Sequence, residues 1–166
     1  MQAAESYRVR VDGIQFAAGH FATFRGGCEP LHGHNYEVAA EVEGTLTEDS
    51  WVFDFVQLKT ILRGIAKGLD HRFILQRDSR VLKIEQLSST WHIQTPDGCE
   101  YSLPAHDVVA LPIDNTTAER LAAWFCQRLG EAMAGLGAAN IATIMVEISE
   151  GPGQRAGHRQ AGLPLG

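Results

Sequence analysis

The sequence predicts an α+β fold on three observations: alternating apolar stretches early and late in the chain, two capped helical patterns between them, and a turn-rich middle. Tyr7 to Phe16 alternates as a strand, with Val9, Val11 and Ile14 as apolar points and Gly13 as an expected irregularity. Phe21 to Pro30 is rich in glycine and reads as a loop. Asn35 to Glu43 alternates again, Thr45 to Ser50 reads as the turn of a hairpin, and Trp51 to Phe53 as a short extended stretch. Asp54 and Gln57 stand at N-cap and N3 spacing, and Phe55, Leu58, Ile61, Leu62 and Ile65 follow at helical intervals until Gly68.

Residues 77 to 111 differ in character. Val81 to Leu87, Trp91 to Thr95 and Cys99 to Leu103 read as short strands around the Pro96-Asp97-Gly98 turn, forming either an inserted small sheet or an extension of the main one. Thr116 then opens a second helix with a capping box to Glu119, and Leu121, Ala122, Trp124, Phe125 and Leu129 supply its apolar face. Ile141 to Ser149 is a final strand. The predicted organisation is one domain over 1–152, with a strand-rich insertion at about 77–111, followed by a C-terminal tail over 153–166.

Composition narrows the class of function. A length of 166 residues suits one domain with a full core, and a net charge of −6 argues against a nucleic-acid or anionic membrane surface. No apolar run approaches the roughly 20 residues that cross a bilayer. The opening MQAAESYRVRVDG has no apolar signal core, and Cys28, Cys99 and Cys126 lack framework spacing. A cytoplasmic protein is expected.

The chemistry lies in FAAGH-FATFRGGCEP-LHGHNYEV. His32 and His34 flank Gly33 at the start of a strand, so both imidazoles point to one face and can converge on one ion. His20, at the end of the preceding strand, can supply a third nitrogen. Three neutral imidazoles leave one position of a tetrahedral Zn2+ open, which marks a catalytic rather than a structural site. Cys28 has two readings: a catalytic thiol on a mobile loop beside Gly26-Gly27, or a fourth metal ligand that closes the site.

These residues resemble the 6-pyruvoyltetrahydropterin synthase / 6-carboxytetrahydropterin synthase family. The resemblance rests on Phe16 to His20, on Cys28 to Tyr36, and on three further segments in order: VFDFVQLK from Val52, LDHRF from Leu69 and TTAERLAAWF from Thr116. It implies a tunnelling fold, an antiparallel sheet with two helices packed on one face. It further implies a homohexamer (a dimer of trimers) with sites between subunits, zinc on His20, His32 and His34, and a dihydroneopterin triphosphate as substrate. Cys28, Asp70 and His71 resemble the family's proton-transfer residues. Glu150 resembles the glutamate that anchors the pterin edge, with Glu147 as the alternative, and Thr117 resembles the threonine that assists it.

Cys-x3-His-Gly-His is similar to the queuosine-pathway 6-carboxytetrahydropterin synthases. Glu29, two residues before Leu31-His32, resembles the glutamate of the variant that makes 6-hydroxymethyl-7,8-dihydropterin for folate synthesis. With Cys28 and Glu29 side by side, a bifunctional enzyme is an alternative, as is a 6-pyruvoyltetrahydropterin synthase. Glu29 can also be an ordinary loop acid. Readings of other classes are a pterin-binding scaffold without turnover and a zinc hydrolase with Glu29 as acid partner.

Overall fold

Two long strands form the spine of the molecule. The computed structural model describes residues 5–163, in which β1 (Tyr7–His20) and β4 (His32–Gly44) run antiparallel along almost their whole length. The register shifts between Val11 and Ile14, where Gly13 takes φ 73°, a left-handed conformation that costs glycine little. Between the spine strands the expected loop is a tight hairpin, β2 (Thr23–Phe24) and β3 (Gly27–Cys28), turning through Arg25 and Gly26 at φ 48° and 77°. Two successive residues at positive φ match the twist of the short strands they join.

After β4 the chain does not form the expected hairpin. Thr45 to Asp54 is a loop, closed by the Thr47 N–H donating to Trp51 O at 2.8 Å, that leads into α1 (Phe55–Lys67). Asp54 caps α1 as predicted, its Oδ1 accepting from Gln57 N at 2.6 Å. Then come β5 (Arg72–Gln76), β6 (Lys83–Gln86), β7 (Thr90–Gln94), β8 (Glu100–Pro104), β9 (Val108–Leu111), α2 (Ala118–Gly135), β10 (Ile141–Gly151) and β11 (Gln154–Ala161).

The main sheet has the order β11-β10-β4-β1-β5-β9. Its first four strands are antiparallel, whereas β5 joins β1 and β9 joins β5 in parallel, so the sheet is mixed rather than wholly antiparallel. Parallel pairing follows from the crossovers: α1 separates β4 from β5, and the small sheet separates β5 from β9. The strand-rich segment divides accordingly. β6, β7 and β8 make a separate antiparallel sheet, and β9 returns to the main one. The tail expected from residue 153 is also corrected. Gln154–Ala161 pairs with β10 from Ala161↔Thr143 to Gln154↔Gly151, and only residues 164–166 of that tail lie outside the described residues.

Alternation along β1, β4 and β10 sends Phe16, Tyr36, Val38, Ile144, Val146 and Ile148 to one face. Leu58 and Leu62 of α1 and Leu121, Phe125 and Leu129 of α2 cover them, so both helices pack on the same side of the sheet. A second, smaller core joins Phe21, Phe73, Leu75 and Val108 to Leu82 and Ile93, fastening the small sheet beside the end of the spine where the histidines sit.

Candidate active site

The register of the two spine strands builds the histidine cluster. His20 is the last residue of β1 and pairs with His32, while His34 pairs with Ala18, so three imidazoles emerge on the core face at one end of the sheet. Gly33 between them keeps the two strands in close approach: a Cβ there would come 3.1 Å from the Ala18 carbonyl oxygen, a contact that only a small backbone shift would relieve. The ring centres are 4.7, 4.9 and 5.1 Å apart, and one nitrogen from each ring lies within 4.8 Å of the others.

His20 is buried, and its Nε2 has no hydrogen-bond partner. Its Nδ1 lies 3.1 Å from Thr116 O and 3.2 Å from Thr116 Oγ1. Burial, then the neighbouring His32 and His34, pushes the His20 pKa down to about 4, keeping the ring neutral. His32 Nδ1 donates to Pro30 O at 2.8 Å, which leaves its Nε2 for another partner. A buried, orphaned imidazole nitrogen facing two further imidazoles fits a bound transition metal, and this trio is able to hold one.

A cleft of about 470 Å³ opens over the histidines, lined also by Glu29, Thr117, Glu119, Glu150 and Arg155. Glu150 follows Ile144, Val146 and Ile148 on the core face of β10, whereas Glu147 points the other way and pairs with Arg10. Thr117, not Thr116, caps α2: its hydroxyl accepts from Arg120 N at 3.4 Å, and Glu119 belongs to the first turn. The offset frees Thr116 to turn inward.

Cys28 and Glu29 part company at the end of β3. Glu29 lines the cleft and is held by its N–H donating to Ala22 O at 2.9 Å. Cys28 is absent from the cleft lining and packs against the second core, its Sγ donating to Glu29 O at 3.4 Å. Burial, with Asp97, Glu29 and Cys99 adding to it, pushes the Cys28 thiol up to about 11. The β2–β3 hairpin carrying both is pinned to the segment before α2, where Thr23 N donates to Asn115 Oδ1 at 2.9 Å and Asn115 Nδ2 donates to Thr23 O at 2.8 Å.

Asp70 and His71 are outside the histidine cleft. They follow α1, where His71 adopts φ 58° and its Nδ1 lies 3.0 Å from Asp70 Oδ2. Asp70 Oδ1 accepts from Ala17 N at 2.8 Å, which together with His71 holds its carboxyl below the usual range. His71 is 83% exposed and faces a neighbouring groove that shares His34 with the cleft.

Three buried polar groups at the site were not anticipated. Tyr36 Oη is buried without a partner behind His34, and Thr116 and Gln76 lie behind His20. A glutamine ending the apolar run Phe73-Ile74-Leu75 was the available signal for Gln76.

A mixed sheet backed by two helices, with three histidines at one end of the spine, defines the tunnelling-fold class of pterin enzymes. The chain belongs to the 6-pyruvoyl tetrahydropterin synthase family, whose profile matches residues 9–161, and it is an enzyme of the tetrahydropterin synthase type. A Methanocaldococcus jannaschii protein assigned as a 6-carboxy-5,6,7,8-tetrahydropterin synthase is 36% identical over 149 residues, covering 89% of this chain and 91% of that one. The 6-pyruvoyl tetrahydropterin synthase of Plasmodium falciparum superposes with a TM-score of 0.88 at 35% identity, covering 94% of this chain and 98% of that one. A Plasmodium vivax 6-pyruvoyltetrahydropterin synthase in which a catalytic glutamate is replaced by alanine superposes with a TM-score of 0.88 at 32% identity, covering 95% and 99%.

Proposed function

We propose that the chain is a zinc-dependent 6-carboxy-5,6,7,8-tetrahydropterin synthase that takes 7,8-dihydroneopterin triphosphate into the histidine cleft. The observation that carries this reading is Glu150 opening onto the same cleft as His20, His32 and His34, so one pocket offers a pterin anchor and a metal site together. The Methanocaldococcus jannaschii relative supports the product named.

The Glu150 carboxylate accepts two hydrogen bonds from the amino-pyrimidinone edge of a pterin, and Thr117 sits beside that edge. So anchored, the pterin directs its 6-side chain toward the histidines. Zinc on the three imidazoles would polarise side-chain oxygens as a Lewis acid. A base must then take a proton from the side chain. In this reading Cys28 is that base, with Asp70 and His71 as the proton relay. His71 is exposed enough to serve the site from across a subunit boundary, as a cytoplasmic homohexamer would allow.

A second reading rests on Glu29. Its place in the cleft favours a side-chain cleavage with Glu29 as base that yields 6-hydroxymethyl-7,8-dihydropterin, alone or in a bifunctional enzyme, and the Plasmodium vivax 6-pyruvoyltetrahydropterin synthase likewise has a catalytic glutamate. Incubation of zinc-loaded protein with 7,8-dihydroneopterin triphosphate, followed by mass spectrometry, decides. A 6-carboxy product with acetaldehyde supports the first reading and a 6-hydroxymethyl product the second. No turnover with metal fully loaded sinks both.

A further inference from the structure

A small, fully buried hydrogen-bond cluster stands directly behind His20. Thr116 and Gln76 are both completely buried. Thr116 Oγ1 donates to Phe21 O at 2.9 Å and also lies 3.3 Å from Gln76 Oε1, while Gln76 Nε2 donates to the same Phe21 carbonyl at 3.1 Å. Phe21 is the residue after His20, so the cluster grips the backbone next to the histidine as well as its ring. Gln76 closes β5, and Thr116 lies just before α2. Parts distant in sequence, at separations of 55 and 95 residues, meet on one carbonyl.

The donor and acceptor roles in this cluster have one consistent assignment. The Thr116 carbonyl can only accept, so His20 Nδ1, 3.1 Å away, must carry its proton there. The Thr116 hydroxyl spends its own proton on Phe21 O or Gln76 Oε1 and therefore also faces Nδ1 with a lone pair, at 3.2 Å. Both neighbours of Nδ1 are acceptors. The lone pair of the neutral ring is thereby confined to Nε2, the atom with no partner that faces His32 and His34.

We propose that Thr116 and Gln76 are positioning residues for the metal: they fix the His20 tautomer and ring orientation so that Nε2 is aimed at the site before the ion arrives. This inference rests on the reading that His20, His32 and His34 hold zinc. Its physical logic is that a metal-ligating imidazole held through its other nitrogen loses less orientational freedom on binding and is a better donor, and removal of such a partner typically costs 10- to 100-fold in affinity. A buried polar cluster without that task would be an expensive way to fill space, since apolar side chains of the same shape stabilise as well.

The test uses the full chain. Zinc affinity is measured by competition with a chromophoric chelator, and cobalt(II) reports coordination geometry through its visible absorption. Thr116→Val keeps the carbonyl that accepts from Nδ1 but removes the hydroxyl and its tie to Gln76, so it is expected to bind zinc about 10-fold more weakly, the low end of what losing such a partner costs, and to alter the cobalt spectrum well below its melting temperature. Thr116→Ser, which keeps the hydroxyl, should return affinity to within about threefold of the parent. A purely structural role would lower the melting temperature of Thr116→Val and leave affinity and spectrum unchanged, and that result overturns the inference. Should Thr116→Val fail to fold, Gln76→Met decides by the same two readouts. A parent chain that takes up neither metal would overturn the zinc reading itself, an outcome distinct from equal binding by parent and variants.

Discussion

Cys28 and Glu29 are neighbours in the chain yet face opposite compartments: Glu29 lines the histidine cleft, and Cys28 packs against the core beneath the small sheet. The parting follows from strand alternation at the end of β3, fixed by the Glu29 N–H bond to Ala22 O and by the Asn115 clamp on Thr23.

That placement gives Glu29 the shorter path to a substrate proton. Glu29→Gln keeps the shape of the side chain and removes its basicity. It is expected to lower formation of a 6-hydroxymethyl product by about 10²- to 10⁴-fold, the usual contribution of a positioned base. Cys28→Ala should leave that product within a few-fold of the parent and leave zinc bound. Rates of each product, followed by mass spectrometry for both variants, check this. Equal losses in the two variants would mean that both side chains reach the substrate.

The Cys28 thiol carries its own pH signature. Its pKa is raised to about 11, so the group is protonated below that value and becomes thiolate only as pH climbs toward it. At pH 8 the thiolate is about a thousandth of the thiol, because each pKa unit is a factor of ten. Alkylation of Cys28 by iodoacetamide should therefore rise about tenfold per pH unit from 7 to 10, and at pH 8 should lag behind the exposed Cys99. Peptide mass spectrometry separates the two sites. Rapid alkylation of Cys28 at pH 8 would show that the bound metal or a neighbouring subunit supplies a charge that lowers the thiol pKa, as a role for Cys28 as the base requires.

Much of this arrangement was legible in the sequence, for local reasons. Both helices, the Asp54 cap and the strands β1, β4 and β10 follow from spacing and periodicity along the chain, which need only neighbours in sequence. The histidine trio was legible because His32 and His34 stand two apart where the apolar alternation of β4 begins, which puts both on one face, and the pairing of His20 with His32 is what a short connection between antiparallel strands produces. What escaped depends on contacts across the fold. The tail from residue 153 contains β11, a polar edge strand whose sequence lacks apolar alternation because neither of its faces is buried. Capping by Thr117 instead of Thr116 is decided by burial of Thr116 against β5, invisible in a Thr-Thr pair. Cys28 next to Glu29 offered no clue to which would face the metal.

The two glutamates of β10 provide an internal comparison. Glu150 opens onto the cleft, and Glu147 is engaged by Arg10 on the opposite face. Glu150→Gln removes a charge-assisted pair of hydrogen bonds to the pterin edge, each worth about 1.5–3 kcal/mol, so KM should rise by at least tenfold with a smaller change in kcat. Glu147→Gln should leave KM within about twofold, and its partly exposed ion pair contributes at most about 1 kcal/mol to stability. Steady-state kinetics and thermal melts on both variants test the assignment. A KM effect confined to Glu147→Gln would reverse it.

Metal binding should register as stability, because the three imidazoles converge only in the folded chain. His20 and His32 lie twelve positions apart on different strands, and the Nε2 of His20 is buried without a partner until an ion supplies one. A ligand that binds only the native state stabilises it by about 2.7 kcal/mol when present at a hundred times its Kd. For a chain of this size that amounts to a melting temperature raised by roughly 5–10 °C. Zinc added to chelator-stripped protein should produce this rise, and calcium, which prefers oxygen ligands, should not. In His34→Ala the trio loses one nitrogen, so the zinc-dependent rise should fall to a small fraction of the parent's. The effect is read from melts taken with and without zinc on the same preparation. A rise of equal size in His34→Ala would place the ion elsewhere on the protein.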